Sequence, residues 1–241
     1  MNVSVVVPAF NEEKLLPVTL PAIQHARSAF AARGWDSELI VCDNNSTDRT
    51  AEMARAAGAR VVFEPINQIG RARNTGAAAA TGKWLLFVDA DSQPSPELFA
   101  AAAEAMESGQ VIAGGTTVRL QGGGWILPLL AGSWNLVSRW GRWLAGSFIF
   151  VERSVFEELG GFNSEMFAAE EIDLTKRLRP LARRRRQRIV ILYRTPLETS
   201  ARKAHLYSSR ELLGFLFRSV LRPAATVTRR EACSPWYDGR R

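Results

Sequence analysis

Trp84-Leu85-Leu86-Phe87-Val88-Asp89-Ala90-Asp91 decides how the chain is read. Five apolar residues form a run too short for a core helix, and two carboxylates follow directly. An uninterrupted apolar run of this length predicts a strand buried on both faces, as in a parallel sheet covered by helices. Upstream, Val3–Val7 is a second such run, ending at Pro8, and Glu38–Cys42 and Arg60–Phe63 are two more. Helical patterns separate them: Leu15–Arg33, Asp48–Ala57 and Arg71–Ala80, with Gly34, Gly58 and Gly82 as stops. Downstream, Ser95-Pro96-Glu97 has the form of an N-cap with proline in the first turn, opening a helix to Ser108, and Val111–Val118 is a fifth strand. Strands alternating with helices predict βαβ units and a mostly parallel, Rossmann-like α/β sheet with helices on both faces.

The second half is less regular. Gly122-Gly123-Gly124 reads as a hinge, Pro128–Leu144 as an amphipathic Trp-rich segment and Ser147–Val151 as a strand. Ala168–Leu178 reads as a helix ended by Pro180, Ile189–Tyr193 as a strand and Ser208–Leu221 as a helix. The expected organisation is a ligand-binding α/β half over 1–120, a second half of the same domain over 121–222, and a loosely held tail over 223–241.

Composition removes several classes. The chain has 241 residues, 46% hydrophobic and 23% charged, as in an ordinary globular protein. Two cysteines exclude a disulfide scaffold, and two histidines argue against a multi-histidine metal site. The net charge is +7 and unevenly spread: residues 1–120 carry 10 basic and 13 acidic residues, residues 121–241 carry 21 and 11. A basic second half suggests an anionic partner, whether a membrane surface, a lipid phosphate or nucleic acid. The N-terminus enters Val3 without a basic leader, and Trp125–Trp134 and Leu144–Val151 are too short for a hydrocarbon core of ~30 Å. The expected location is cytoplasmic, with peripheral docking at the inner membrane face left open.

Ligands of such sheets bind beyond the carboxyl ends of the strands. Those ends carry Pro8-Ala9-Phe10-Asn11-Glu12-Glu13, then Asp43-Asn44-Asn45-Ser46-Thr47-Asp48, then Asp89-Ala90-Asp91. Two carboxylates two residues apart in extended chain face one side. They suit a hard cation, Mg²⁺ or Mn²⁺, that keeps open positions for substrate oxygens. The bland alternative is a pair of turn or helix caps. An acidic rim repels a pyrophosphate unless a divalent cation bridges the two, so the rim points to a metal-bridged nucleoside diphosphate. Neither Gly-x-Gly-x-x-Gly nor Gly-Lys-Ser/Thr is present, which argues against a dinucleotide site and a P-loop.

These segments, with Gly70-Arg71-Ala72-Arg73-Asn74, Gly160-Gly161-Phe162 and Glu170-Glu171-Ile172-Asp173-Leu174, resemble in order the motifs of family 2 glycosyltransferases, over about residues 1–180. The resemblance implies a GT-A fold and inverting sugar transfer from a nucleotide donor, UDP- or GDP-linked. It implies that Pro8, Phe10 and Glu12 line the base and ribose pocket and that Asp43 accepts a hydrogen bond from the base. Asp89 would touch ribose or metal and Asp91 would ligate the metal. Arg71 and Asn74 belong to the nucleotide-sugar set, with Arg71 and Arg73 either at the diphosphate or simply exposed. The alternatives are an Asx turn for Asp43 and an N-cap for Asp48.

The family's usual pair at the base position is Glu-Asp, and here it is Glu170-Glu171. Glu171 is therefore the expected general base and Glu170 the fallback, with Asp173 bracing them. Arg202, Lys203 and His205 are further candidates. The Gln-x-x-Arg-Trp of processive relatives is missing, which favours a single transfer. Trp125, Trp134, Trp140 and Trp143, interleaved with Arg139 and Arg142, suit either an interfacial helix or an acceptor cleft. With the basic run Arg183–Arg188 they suggest a lipid-linked or hydrophobic acceptor, and no nucleic-acid motif accompanies them. Two rivals remain open, a sugar-phosphate nucleotidyltransferase and a non-catalytic nucleotide-sugar or membrane binder.

Overall fold

The computed structural model of the chain describes residues 1–121, 126–144 and 147–200, together with Thr228 and Cys233. The Gly122–Gly124 hinge, Trp125, the 208–221 helix and Arg202, Lys203 and His205 lie outside the described residues, as does most of the tail.

Strand β1 (Asn2–Ala9) leads through α1 (Leu16–Ala26) and the short α2 (Ser28–Ala31) to β2 (Asp36–Asp43). Then follow α3 (Thr50–Ala56), β3 (Arg60–Phe63), α4 (Ile69–Ala78), β4 (Trp84–Val88), the two-residue β5 (Ser92–Gln93) and α5 (Pro96–Glu107). The second half adds β6 (Val111–Gln121), α6 (Ile126–Gly141), β7 (Phe148–Glu152), α7 (Arg153–Glu158), α8 (Glu170–Arg184) and β8 (Arg188–Ser200). All strands join one sheet in the order β3-β2-β1-β4-β7-β6-β8-β5.

The sheet is mixed. β3, β2, β1 and β4 are parallel, as expected, but β7 runs antiparallel to both β4 and β6, and β5 is antiparallel to β8. The β3-β2-β1-β4 order makes the β1/β4 boundary a topological switch point, where the chain leaves to both sides and opens a crevice. Pro8 stands at that crevice. β1 pairs with β4 only through Val6↔Phe87, so the N–H that Pro8 lacks is not needed on that side.

Alternation along β1 divides two cores. Val3, Val5 and Val7 face the layer of α1, α2 and α5, where Phe30 packs against Trp35 and Phe99. Val6 faces the layer of α4, α7 and α8, where Phe87, Phe156 and Phe162 form a cluster.

Local signals hold where expected. Ser95 Oγ accepts from the Leu98 N–H as the N-cap of α5. Gly34 and Gly58 take left-handed φ values of 68° and 76°. Two helices differ from the sequence reading. The expected Leu15–Arg33 helix is split at Arg27, where bonding tightens to Phe30 N–H donating to the Arg27 carbonyl. α8 runs on through Pro180 to Arg184, because Leu174, Leu178, Leu181 and Ala182 bury one face in the second core and hold the helix across the proline.

Candidate active site

The loops after β1 and β2 are stitched together. Asn11, at φ 53°, donates its N–H to Ser46 Oγ, and its Oδ1 accepts from the Thr47 N–H. The Glu12 N–H donates to Thr50 Oγ1 and the Glu13 N–H to Asp48 Oδ2. Pro8 and Glu12 are buried and Phe10 is half-buried beside them. Asp43 ends β2 next to Ala9 and Phe63 and accepts from the Ser46 N–H, so its Asx turn coexists with a place on the rim. Asp48 accepts from the Thr50 N–H and Oγ1 in an Asx turn just ahead of α3, whose N-cap is Arg49 and not Asp48 as expected. Hydrogen bonds to the charged form lower the affinity of Asp48 for a proton, outweighing its partial burial.

Asp89-Ala90-Asp91 is a turn, not extended chain: the Ser92 N–H donates back to the Asp89 carbonyl at 3.1 Å. This corrects the expectation that both carboxylates point to one side by strand alternation. Thr19 of α1 donates to the Ala90 carbonyl at 2.7 Å and fixes the turn. Asp89 turns to Arg73, 2.9 Å away, while Asp91 lies near Ser92 and Thr199, each at 3.5 Å.

Arg73 is the centre of the site. It projects from α4, is wholly buried, and reaches Asp89 at 2.9 Å, Glu170 at 2.7 Å and Glu171 at 3.7 Å, with the Phe162 ring 5.3 Å away. The reading of Arg73 as an exposed helix arginine is thus wrong. The signal was present: Gly70, Arg73, Gly76 and Ala77 share the buried small-residue face of α4. Burial opposes the Arg73 charge, but three carboxylates raise its proton affinity further.

Ala169, the residue before α8, has a φ of 61° that turns the chain so that Glu170 enters the interior and Glu171 stays half-buried. The Glu170 side chain is 2% exposed and that of Glu171 17%. Burial, with the Glu171 charge adding and Arg73 opposing, pushes the Glu170 carboxyl up to about 8. The neighbouring Cys233 thiol is pushed up to about 11 by burial and by Glu170.

Three further residues hold this arrangement. Asn74 Oδ1 accepts from the Phe162 N–H at 2.9 Å and its Nδ2 donates to the Phe162 carbonyl at 2.8 Å, so its amide is set by the Gly160-Gly161-Phe162 turn. Asp173 accepts from Arg177, which also donates to the Leu159 and Gly161 carbonyls. Gln68, which the sequence reading missed, donates to the Ser164 and Met166 carbonyls ahead of α8. Arg71 is half-buried and donates to Gln68 Oε1.

The donor set suits a hard cation. Asp89 and Asp91 offer carboxylate oxygens only, and such ions are commonly held by one or two carboxylates with phosphate and water completing the shell. No group of three or more potential metal ligands is found among the described residues.

The model of a family described as glycosyl transferase family 2 matches residues 4–160. An uncharacterised glycosyltransferase of Mycobacterium bovis is 43% identical over 89 residues, 37% of this chain and 36% of its own. A dolichol-phosphate mannosyltransferase of Pyrococcus furiosus is 31% identical over 124 residues, 48% of this chain and 33% of its own. The match thus spans about a third of each of these relatives. Glucosyl-3-phosphoglycerate synthase from Mycobacterium tuberculosis, solved with Mn²⁺, UDP and phosphoglyceric acid, superposes with a TM-score of 0.61 at 24% identity, covering 91% of this chain and 76% of that one. The architecture is that of the GT-A glycosyltransferases. With the family's model matched over residues 4–160, this chain belongs to glycosyl transferase family 2.

Proposed function

We propose that the chain transfers a sugar from a nucleoside-diphosphate sugar to an acceptor hydroxyl, once per encounter and by direct displacement. The observation that carries the reading is the divided environment of Glu170 and Glu171. One carboxyl is sealed under Arg73, while its neighbour is only half-buried, 17% exposed, and stands 3.7 Å from the same guanidinium.

Pro8, Phe10, Glu12 and Asp43 form the wall for base and ribose, uridine or guanosine. Arg71 stands at the start of α4, on the diphosphate side, and Asn74 shapes the turn behind it. Asp89 and Asp91 would hold Mg²⁺ or Mn²⁺, which would supply positive charge against the diphosphate leaving group. Glu171 takes the acceptor proton as the hydroxyl oxygen bonds to the anomeric carbon. The bond from that carbon to the β-phosphate oxygen breaks, and its electron pair leaves with the diphosphate. Arg73 positions Asp89 and the start of α8 without touching substrate.

The acceptor is hydrophobic or lipid-linked in this reading. Support comes from the relative named for dolichol phosphate. A peripheral position at an anionic membrane would bring such an acceptor within reach.

The test is release of nucleoside diphosphate from a panel of UDP- and GDP-sugars. Glu171→Gln should lower turnover by about 10²–10⁴-fold while donor binding, read as thermal stabilisation, is retained. Turnover unchanged in Glu171→Gln contradicts the base assignment.

A further inference from the structure

α6 is seated by a narrow seam. The Asn135 side chain donates to the Val118 carbonyl at 2.9 Å and accepts from the Val118 N–H at 3.0 Å, and Ser138 Oγ donates to the Trp143 carbonyl at 2.7 Å. At 100° per residue, Leu136, Val137 and Trp140 point away from that seam. They are 56%, 53% and 88% exposed, so the outward face of this helix is apolar where a surface helix is normally polar.

The same helix ends in a basic cleft. Gly141 closes α6, yet it is Arg142 that takes the left-handed φ of 50°. Glycine adopts that conformation without steric cost, so an arginine there carries backbone strain. Arg142 lines a cleft of about 450 Å³ with Arg179, Arg183 and Arg188, walled by Trp140 and Trp143. Arg179 stacks 3.9 Å above the Trp143 ring and donates to the Gly141 carbonyl. An adjoining cleft of about 410 Å³ shares Trp140, Arg142 and Arg188 and adds Arg139, stacked 4.1 Å from the Tyr193 ring. Among the described residues no carboxylate lines either cleft. The neighbouring Arg184 and Arg185, by contrast, both pair with Glu158. Guanidinium groups gathered without a counter-charge focus a positive field that an anion relieves.

We propose that this surface docks on an anionic phospholipid bilayer, with lipid phosphates in the Arg142–Arg179–Arg183–Arg188 cleft and Leu136, Val137 and Trp140 entering the boundary between headgroups and acyl chains. Trp140 belongs to both parts, as expected of an amphipathic ring at headgroup depth. A nucleic acid would satisfy the arginines and stack on Trp140, but it offers nothing to Leu136 and Val137. The cleft is separate from the catalytic rim. Arg188 pairs with Val111 where β6 begins, whereas Asp89 follows the end of β4, so docking does not depend on the transfer reading.

The test is flotation of the full chain with vesicles of phosphatidylcholine alone or with phosphatidylglycerol, at low and at physiological salt. The chain should float only with the phosphatidylglycerol vesicles, and less as salt rises. Arg142→Gly and Arg188→Gln should each reduce partitioning by about fivefold. Arg142→Gly should melt no lower than the parent, because the left-handed residue is relieved. Trp140→Ala should also weaken flotation without changing the melting temperature, since the ring is exposed. Stabilisation by UDP-sugars should be the same in all three variants. No flotation, equal flotation with phosphatidylcholine alone, or flotation indifferent to the three variants overturns the proposal. Arginine-dependent binding of a labelled oligouridylate without flotation also overturns it and gives the surface to nucleic acid. Stabilisation by glycerol phosphate without flotation overturns it in favour of a soluble phosphate ligand.

Discussion

At the scale of single residues, the Arg73 guanidinium joins a helix, a strand end and the start of α8 through hydrogen-bonded pairs with Asp89 and Glu170. Removing it leaves Asp89 and Glu170 facing each other with no buried cation. Arg73→Met should therefore cost about 3–5 kcal/mol in urea unfolding, as for other broken buried pairs. Glu170 carries the opposite signature. Its folded-state affinity for a proton is raised from 4.5 to about 8, so its contribution to stability is fully present at acid pH and is lost as pH rises across that interval. Glu170→Gln, which stays neutral, should flatten the decline in melting temperature over the same interval, and an unaltered profile would contradict the raised affinity. The Asx turn of Asp43 and the cap of Ser95 were legible, because turn and cap chemistry is local. The burial of Arg73 was legible only from its spacing with Gly70 and Gly76. A lone arginine in a helix carries no sign of the two carboxylates that pay for its desolvation sixteen and ninety-seven positions away.

At the scale of elements, the site depends on two short connections. The turn between β4 and β5 is fixed by Thr19, whose hydroxyl satisfies the buried Ala90 carbonyl. Thr19→Val keeps the shape and removes the donor, so it should cost about 1–3 kcal/mol and weaken metal-dependent stabilisation by the donor. The connection between α7 and α8 turns at Gly160 and Gly161, both left-handed. A Cβ on Gly161 would lie 2.6 Å from Asn74 Oδ1, so Gly161→Ala should lower the melting temperature and turnover together, whereas Gly109→Ala, strained in φ but open to solvent, should affect stability alone. Most strand positions were legible because apolar runs announce them; the two-residue β5 and the polar second half of β8, Arg194–Ser200, carry no such run. Strand direction was not, since β7 gains its antiparallel place from pairing with Trp84–Val88, far away in sequence. Pro180 misled for the same reason: the packing of Leu178 and Leu181 that carries α8 past it is tertiary.

At the scale of the whole molecule, the acidic first half and the basic second half both contribute strands to one sheet. The β1/β4 switch point opens the crevice, and the Asp89–Asp91 turn supplies negative charge at its mouth. A diphosphate can sit beside that charge only if a divalent cation offsets it. The most direct test is a thermal-shift panel of UDP- and GDP-sugars, each with Mn²⁺, with chelator, and with the Asp91→Ala variant. Mass action stabilises a protein by about 2.7 kcal/mol at a hundredfold excess of ligand over Kd, well within reach of the measurement. The account predicts stabilisation by one donor class that requires the metal and disappears in Asp91→Ala. Equal stabilisation with chelator present, and in Asp91→Ala, would contradict it.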